Sequence, residues 1–215
     1  MTLSRAQIKR RCLVCTGVIA AILLIDQIVK IWVKTHFYLG EDYEILPFFH
    51  IHFIQNNGMA FGWELGSKLF LTGFRFVMVG LLIWLLSRFA RMADKPLGFL
   101  AALAAITAGA AGNIVDCVFY GEIFSNPWPP EVATFVPLGE GYGQWFQGLV
   151  VDMLWFPLFS FDWPGWVPFV GGEHFSFFDP VFNVADSAIT VGVLVIILFY
   201  SRCIVWPSKS AEEKK

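Results

Sequence analysis

The chain has 215 residues, of which 57% are hydrophobic and only 15% are charged, and its net charge is −2. Soluble globular domains carry about 25% charged residues, so this composition excludes an ordinary soluble domain. It predicts an all-α membrane protein in a single domain, residues 1–215. Lys and Arg form no dense basic patch beyond the short N-terminal arm, which argues against a nucleic-acid partner.

Four apolar segments are long enough to cross a hydrocarbon core, which takes about 20 helical residues. They lie at about 12–33, 68–88, 97–119 and 181–204. The first resembles a signal peptide, but it continues past Asp26 to about Trp32 and no small-residue cleavage site follows, so we interpret it as a retained span. Cys12 and Cys15 begin this segment without a partner pair or a nearby His, so we expect no zinc site.

Basic residues predict the orientation of the spans. They precede the first span, lie between the second and the third, and follow the fourth, whereas residues 96–201 contain no Lys or Arg. The positive-inside rule then places both termini in the cytoplasm. Residues 35–67 and 120–180 are predicted to lie outside the cytoplasmic membrane.

The first outer region has the pattern of a small β-sheet, at about 40–66. Apolar and polar residues alternate over residues 49–53, and Asn57-Gly58 is a strong turn signal. His50 and His52 share one face of the predicted strand. They could bind a metal, but the polar face of a half-buried strand is the favoured interpretation.

The second outer region, about 120–180, is rich in Pro, Gly, Trp and Phe, and its charges are all acidic. We expect turns and short helices lying in the membrane interface with their aromatic side toward lipid. No internal repeat is evident, which argues against an inverted-repeat transporter.

Ionisable residues within a span are functional candidates because burying them in lipid is costly. Asp26 and Lys30 lie four residues apart on one face of the first span, so they can form an ion pair, which would serve structure or function. Arg75, in the second span, has three possible roles: neutralising a carboxylate, holding a lipid phosphate, or extending outward with no special role.

Two pairs of polar residues lie at the outer ends of the last two spans. Asn113 and Asp116 are three residues apart, as are Asn183 and Asp186, so each pair faces one way and the pairs can converge on one polar pocket. Asp152 lies among apolar residues just outside the membrane.

Two neighbouring carboxylates would permit peptide hydrolysis without a metal or a Ser or Cys nucleophile. One would stay protonated while the other takes a proton from water. Three other interpretations remain open from the residues alone. The carboxylates could pack helices, they could form the path of a small polytopic ion or proton transporter through Asp26, Asp116 and Asp186, or the chain could be a non-catalytic assembly factor.

Five short motifs occur in a fixed order along the chain. They are Asp26-Gln27-Ile28-Val29-Lys30, Asn56-Asn57-Gly58-Met59-Ala60-Phe61, Gly112-Asn113-Ile114-Val115-Asp116, Val150-Val151-Asp152 and Phe182-Asn183-Val184-Ala185-Asp186. This order resembles the bacterial lipoprotein signal peptidases (signal peptidase II), whose patterns are DQxxK, NxGxAF, GNxxDR, VVDF and FNxAD in a four-span protein. The resemblance covers about residues 20–200.

The resemblance implies an aspartic endopeptidase of the inner membrane that cleaves diacylglyceryl-modified prolipoproteins before the lipidated cysteine. It implies no cofactor and no metal, and membrane lipids are expected partners of a monomer. The catalytic pair falls on Asp152 and Asp186. The supporting and substrate-binding positions are Asp26, Lys30, Asn56, Gly58, Arg75, Asn113, Asp116 and Asn183.

Three features depart from the pattern. Cys117 stands where GNxxDR has its Arg, and Met153 stands where VVDF has its Phe. The third is an insertion over 118–149, with a second long stretch over 153–180, which would form a lid or substrate-selecting platform, or else an inert loop on the interface.

Overall fold

The computed structural model describes residues 3–57 and 68–204. Within these residues, four helices are long and apolar enough to cross a membrane, and they coincide with the four predicted spans. They are α1 (Arg5–His36), α2 (Lys68–Phe89), α3 (Leu97–Val115) and α4 (Val184–Tyr200). Gly58 and the rest of 58–67 lie outside the described residues, so the predicted turn is not tested.

Helix α1 begins earlier than predicted because Ser4 and Gln7 form a capping box. The Gln7 amide N–H donates to Ser4 Oγ (3.2 Å), and the Ser4 amide N–H donates to Gln7 Oε1 (2.8 Å). Two of the amide groups that a helix start leaves unpaired are satisfied in this way. The helix therefore includes the basic N-terminal arm.

Helix α3 does not end as a regular helix. A π-helical turn (Asp116–Tyr120) follows it, and then one short α-helical turn (Gly121–Ile123). Most residues of the π turn are buried, including Asp116 and Tyr120. Such turns are rare and are frequently found at functional sites.

The described residues divide into two compact units. In the first unit, residues 3–24, 75–111 and 185–204 pack around an apolar core. Here α3 and α4 approach closely through Gly192, whose missing Cβ would lie 2.7 Å from Ile106 Cγ1 and 2.8 Å from the Ala102 carbonyl oxygen. A small residue is needed wherever two helix backbones come this close.

The second unit comprises residues 25–57, 68–74 and 112–184. The strands of its main sheet are β1 (Asp42–Leu46), β2 (Phe49–Asn56), β3 (Val150–Trp155) and β6 (Val181–Phe182). This sheet is antiparallel, with strand order β1-β2-β3-β6. A separate hairpin pairs β4 (Phe159–Asp162) with β5 (His174–Phe177).

The expectation of short helices in the second outer region was wrong for the described chain between 124 and 180, where strands β3 to β6 and irregular segments occur instead. The physical reason is pairing. Apolar β3 aligns with β2 over two stretches on either side of a β-bulge, and this long-range contact decides its conformation.

Part of the 118–149 insertion belongs to the core of the second unit. Phe124 is fully buried and its ring lies 4.9 Å from that of Tyr120. Both pack in one cluster with Phe53, Val151 and Met153. The insertion is therefore not simply an inert loop on the surface of the protein.

His50 and His52 lie on one face of β2 as predicted. The Asp42 carboxylate on β1 lies 3.0 Å from His50 Nδ1 and 3.9 Å from His52 Nδ1. Both imidazoles also contact the Trp155 ring. These contacts fit the polar face of a half-buried strand.

Candidate active site

Lys30 is the centre of a buried polar network in the second unit. Its Nζ lies 3.0 Å from Asp26 Oδ2 and 2.9 Å from Asp116 Oδ2, and all three side chains are fully buried. The same nitrogen donates to Asn113 Oδ1 (2.8 Å). A lysine ammonium has three N–H donors, so these acceptors satisfy all of them. The predicted Asp26–Lys30 ion pair is present, and Asp116 supplies a second carboxylate to the same ammonium group.

Asp116 links this network to the sheet. Its Oδ1 accepts a hydrogen bond from Gln27 Nε2 (3.0 Å), and its Oδ2 accepts one from the Val151 amide N–H on β3 (3.2 Å). A charged acceptor makes these hydrogen bonds stronger than neutral ones. Asp116 therefore fixes the strand position next to Asp152.

Sequence reasoning missed Gln27 and Tyr120. The Tyr120 hydroxyl donates to Gln27 Oε1 (3.1 Å), while Gln27 Nε2 serves both Asp26 (3.0 Å) and Asp116. Gln27 lies inside the quoted DQxxK motif, so its polarity within a span was the available signal. No comparable signal marked Tyr120, because its placement depends on the π turn.

Two carboxamides hold Asp152, which lies on β3 and is 2% exposed. Asn183 Nδ2 donates to Asp152 Oδ1 (2.6 Å) and Asn56 Nδ2 donates to Asp152 Oδ2 (3.2 Å). Asn183 Nδ2 also lies within bonding distance of Asn113 Oδ1 (3.1 Å) and the Val151 carbonyl oxygen (3.3 Å). Asn183 therefore joins the Lys30 network to the Asp152 carboxylate.

The described residues bring together seven of the ten predicted positions, namely Asp152 and six supporting positions. The six supporting positions are Asp26, Lys30, Asn56, Asn113, Asp116 and Asn183. Asp186 lies in the first turn of α4 and is half-buried, and Arg75 lies half-buried in α2. Gly58 lies outside the described residues. The predicted catalytic and supporting roles of all ten positions remain predictions.

This arrangement can orient a carboxylate for chemistry. The two amide donors fix both oxygens of Asp152, and the strand that carries Asp152 is fixed through Asp116. A carboxyl group held in this way can take a proton from a water molecule when it is ionised, and it can give one to a carbonyl oxygen when it is protonated. Within the described residues, no group of three or more His, Cys, Asp or Glu side chains is arranged to hold a metal ion.

Comparison with known proteins gives one consistent result. The family model described as signal peptidase (SPase) II matches residues 18–202. The lipoprotein signal peptidase of Porphyromonas gingivalis is 49% identical over 191 residues, which cover 89% of this chain and 84% of that protein. The lipoprotein signal peptidase of Amoebophilus asiaticus is 33% identical over 202 residues, covering 91% and 81%.

The fold agrees with these matches. A bacterial membrane enzyme solved by the in meso method at 1.9 Å resolution superimposes with a TM-score of 0.56 and 25% identity, covering 86% of this chain and 90% of that one. Since the family model spans most of the chain and close relatives match it nearly end to end, this chain belongs to the signal peptidase II family.

Proposed function

We propose that this protein is an aspartic endopeptidase that removes the signal peptide from diacylglyceryl-modified prolipoproteins at the outer face of the cytoplasmic membrane. Membership of the signal peptidase II family and the lipoprotein signal peptidase relatives support this activity. The observation that carries the proposal is the buried Asp152 carboxylate, which is held by two amide donors beside a buried network of ion pairs.

Asp186 is proposed as the second catalytic carboxylate. It follows Asn183, the residue that binds Asp152 Oδ1, by three positions, and it lies in the first turn of α4. Carboxylates placed together share one proton because both cannot readily ionise. Asp152 and Asp186 would then titrate as a pair.

The proposed reaction consumes one water molecule. The ionised carboxylate takes a proton from that water as its oxygen attacks the scissile carbonyl carbon, and the protonated carboxylate gives its proton to the carbonyl oxygen. The tetrahedral intermediate then collapses and the C–N bond breaks. The carboxyl group that received the water proton gives it to the departing nitrogen, and the other carboxylate takes the proton of one hydroxyl of the intermediate, which restores the shared proton. No cofactor enters these steps.

The supporting residues divide into two proposed roles. Asp26, Lys30, Asn113 and Asp116 hold the frame on which Asp152 lies, as their contacts indicate. Asn56 donates to Asp152, and the motif resemblance assigns it a contact with the substrate backbone as well. Gly58 and Arg75 are assigned to substrate binding and support from the motif resemblance.

The proposed setting is the bacterial inner membrane, with both termini in the cytoplasm. The absence of Lys and Arg between 96 and 201 supports this orientation. The prolipoprotein's signal helix would lie in the bilayer with its acyl chains in lipid, and the enzyme would act as a monomer.

Cleavage of a lipidated prolipoprotein tests the assignment. Purified wild-type protein, Asp152→Asn and Asp186→Asn would be incubated with substrate in detergent or lipid, and the mature form would be resolved on a gel. Both variants should lose turnover while their thermal unfolding stays cooperative. Asp162→Asn, on the exposed β4, is the matched control and should cleave like wild type. Near wild-type cleavage by either catalytic variant would show that the pair is misassigned.

A further inference from the structure

Lys34 is a buried cation that the proposed reaction does not use. It lies on α1, one helical turn after Lys30, and is fully buried. Among the described residues, its Nζ has no hydrogen-bond partner. A buried charge without compensation is costly, so a lysine at this position needs a physical reason.

Aromatic rings surround the Lys34 ammonium group. Its Nζ lies 5.1 Å from the ring centroid of Tyr142, 5.4 Å from that of Phe124 and 5.9 Å from that of Phe53. Burial raises the pKa of Tyr142 to about 12, so its phenol stays neutral and Lys34 meets a ring face rather than a phenolate. Cation–π contacts of this kind stabilise a cation without pairing it with an anion.

The charge of Lys34 balances the neighbouring network. Asp26 and Asp116 bring two carboxylates into a buried site, whereas Lys30 brings one cation. Lys34 lies on the same face of α1 as Lys30, one turn further along, and Asp116 Oδ2 lies 2.9 Å from Lys30 Nζ. With both lysines charged, the buried group of four side chains is neutral.

Cys117 lies close to Tyr142, one of the three aromatic residues around Lys34. Its carbonyl oxygen accepts the Gly148 amide N–H (2.8 Å), and the Tyr142 hydroxyl accepts the next amide N–H, that of Leu149 (2.7 Å). Cys117 is 1% exposed and therefore also faces the interior. Its position is the one at which the GNxxDR pattern has an arginine.

We propose that Lys34 is a positioning residue that supplies, from α1, the positive charge that GNxxDR provides at position 117. Asp116 stays charged because Lys34 and Lys30 together balance both carboxylates. A charged Asp116 holds the Val151 N–H, and with it the strand that carries Asp152. The effect on turnover rests on the function proposed above.

Moving the charge back to position 117 tests the proposal. Four variants would be compared with wild type: Lys34→Ala, Lys34→Met, Lys34→Ala with Cys117→Arg, and Lys34→Ala with Cys117→Leu. Lys34→Met keeps the volume of the side chain and removes its charge. The two double variants both place a larger side chain at position 117, but only the one with arginine restores a positive charge. Cleavage of a lipidated prolipoprotein and the thermal unfolding temperature would be measured for each.

We expect both single variants to lower kcat/KM by about tenfold or more. The Cys117→Arg double variant should recover most of this loss, and the Cys117→Leu double variant should not. Wild-type kcat/KM in Lys34→Met, or equal recovery by leucine and arginine, would overturn the proposal, because packing alone would then explain the site.

The unfolding temperature keeps this test independent of the proposed function. If wild type and Asp152→Asn proved equally unable to cleave, the assigned activity would be wrong. Lys34 would then be judged on stability alone. A higher unfolding temperature for the arginine double variant than for the leucine one supports the charge role, and equal temperatures refute it.

Discussion

Replacing Lys30 with methionine should destabilise the second unit strongly. Lys30 Nζ contacts three oxygen acceptors at 2.8–3.0 Å, two of them on fully buried carboxylates. Methionine fills a similar volume but donates no hydrogen bond. The substitution therefore isolates the loss of charge and hydrogen bonding from the loss of packing.

The magnitude follows from the two carboxylates left behind. Removing one partner of a buried ion pair costs about 3–5 kcal/mol, because the remaining charge has lost its compensation. In a domain of this size, such a loss lowers the unfolding temperature by roughly 6 to 20 °C. We expect Lys30→Met to fall within this range when it is unfolded in detergent and followed by tryptophan fluorescence or differential scanning calorimetry.

Two further variants make this experiment decisive. Lys9→Met changes an exposed lysine on the same helix, and it should shift stability by no more than about 0.5 kcal/mol. Lys30→Met with Asp116→Asn also removes one of the two carboxylates that Lys30 contacts, and it should recover part of the loss. If Lys30→Met unfolded within about 2 °C of wild type, the reasoning that Lys30 neutralises the network would be refuted.

Two further pairs of variants probe the helix contact and the amides at Asp152. Gly192→Val should lower the unfolding temperature, because even a Cβ would approach Ile106 too closely, whereas Gly80→Val, with nothing within 4 Å of its missing Cβ, should not. A Gly192→Val protein as stable as Gly80→Val would contradict the close packing of α3 and α4. Asn183→Ala should reduce cleavage more than Asn56→Ala, since its bond to Asp152 is shorter and it binds two further oxygens, and a reversed order in kcat would refute this ranking.

The helices and part of the polar network could be predicted from sequence because the signals are local. Four apolar runs defined the spans, and a spacing of three or four residues placed Asp26 with Lys30 and Asn113 with Asp116. The structure confirms the four spans and joins these side chains at one ammonium group. Alternation along 49–53 also located β2 correctly, although the strand continues to Asn56.

The features that were missed depend on contacts distant along the chain. Strand β3 pairs with a strand about 100 residues earlier, so its own aromatic and proline-rich surroundings were misleading. The π turn places Tyr120 against Gln27, and no residue pattern in the sequence predicts such a turn. Lys34 was not singled out from the sequence, because its aromatic neighbours lie in three separate segments.

The backbone beside Asp152 has a consequence for substrate recognition. The Val151 N–H donates to Asp116 Oδ2, and the Val151 carbonyl oxygen accepts a hydrogen bond from Asn183 Nδ2. Side chains therefore occupy the backbone groups of Val151 that an added strand would need. A peptide therefore cannot dock there by strand addition, which requires a free sheet edge. The same two contacts protect this part of β3 from pairing with other chains.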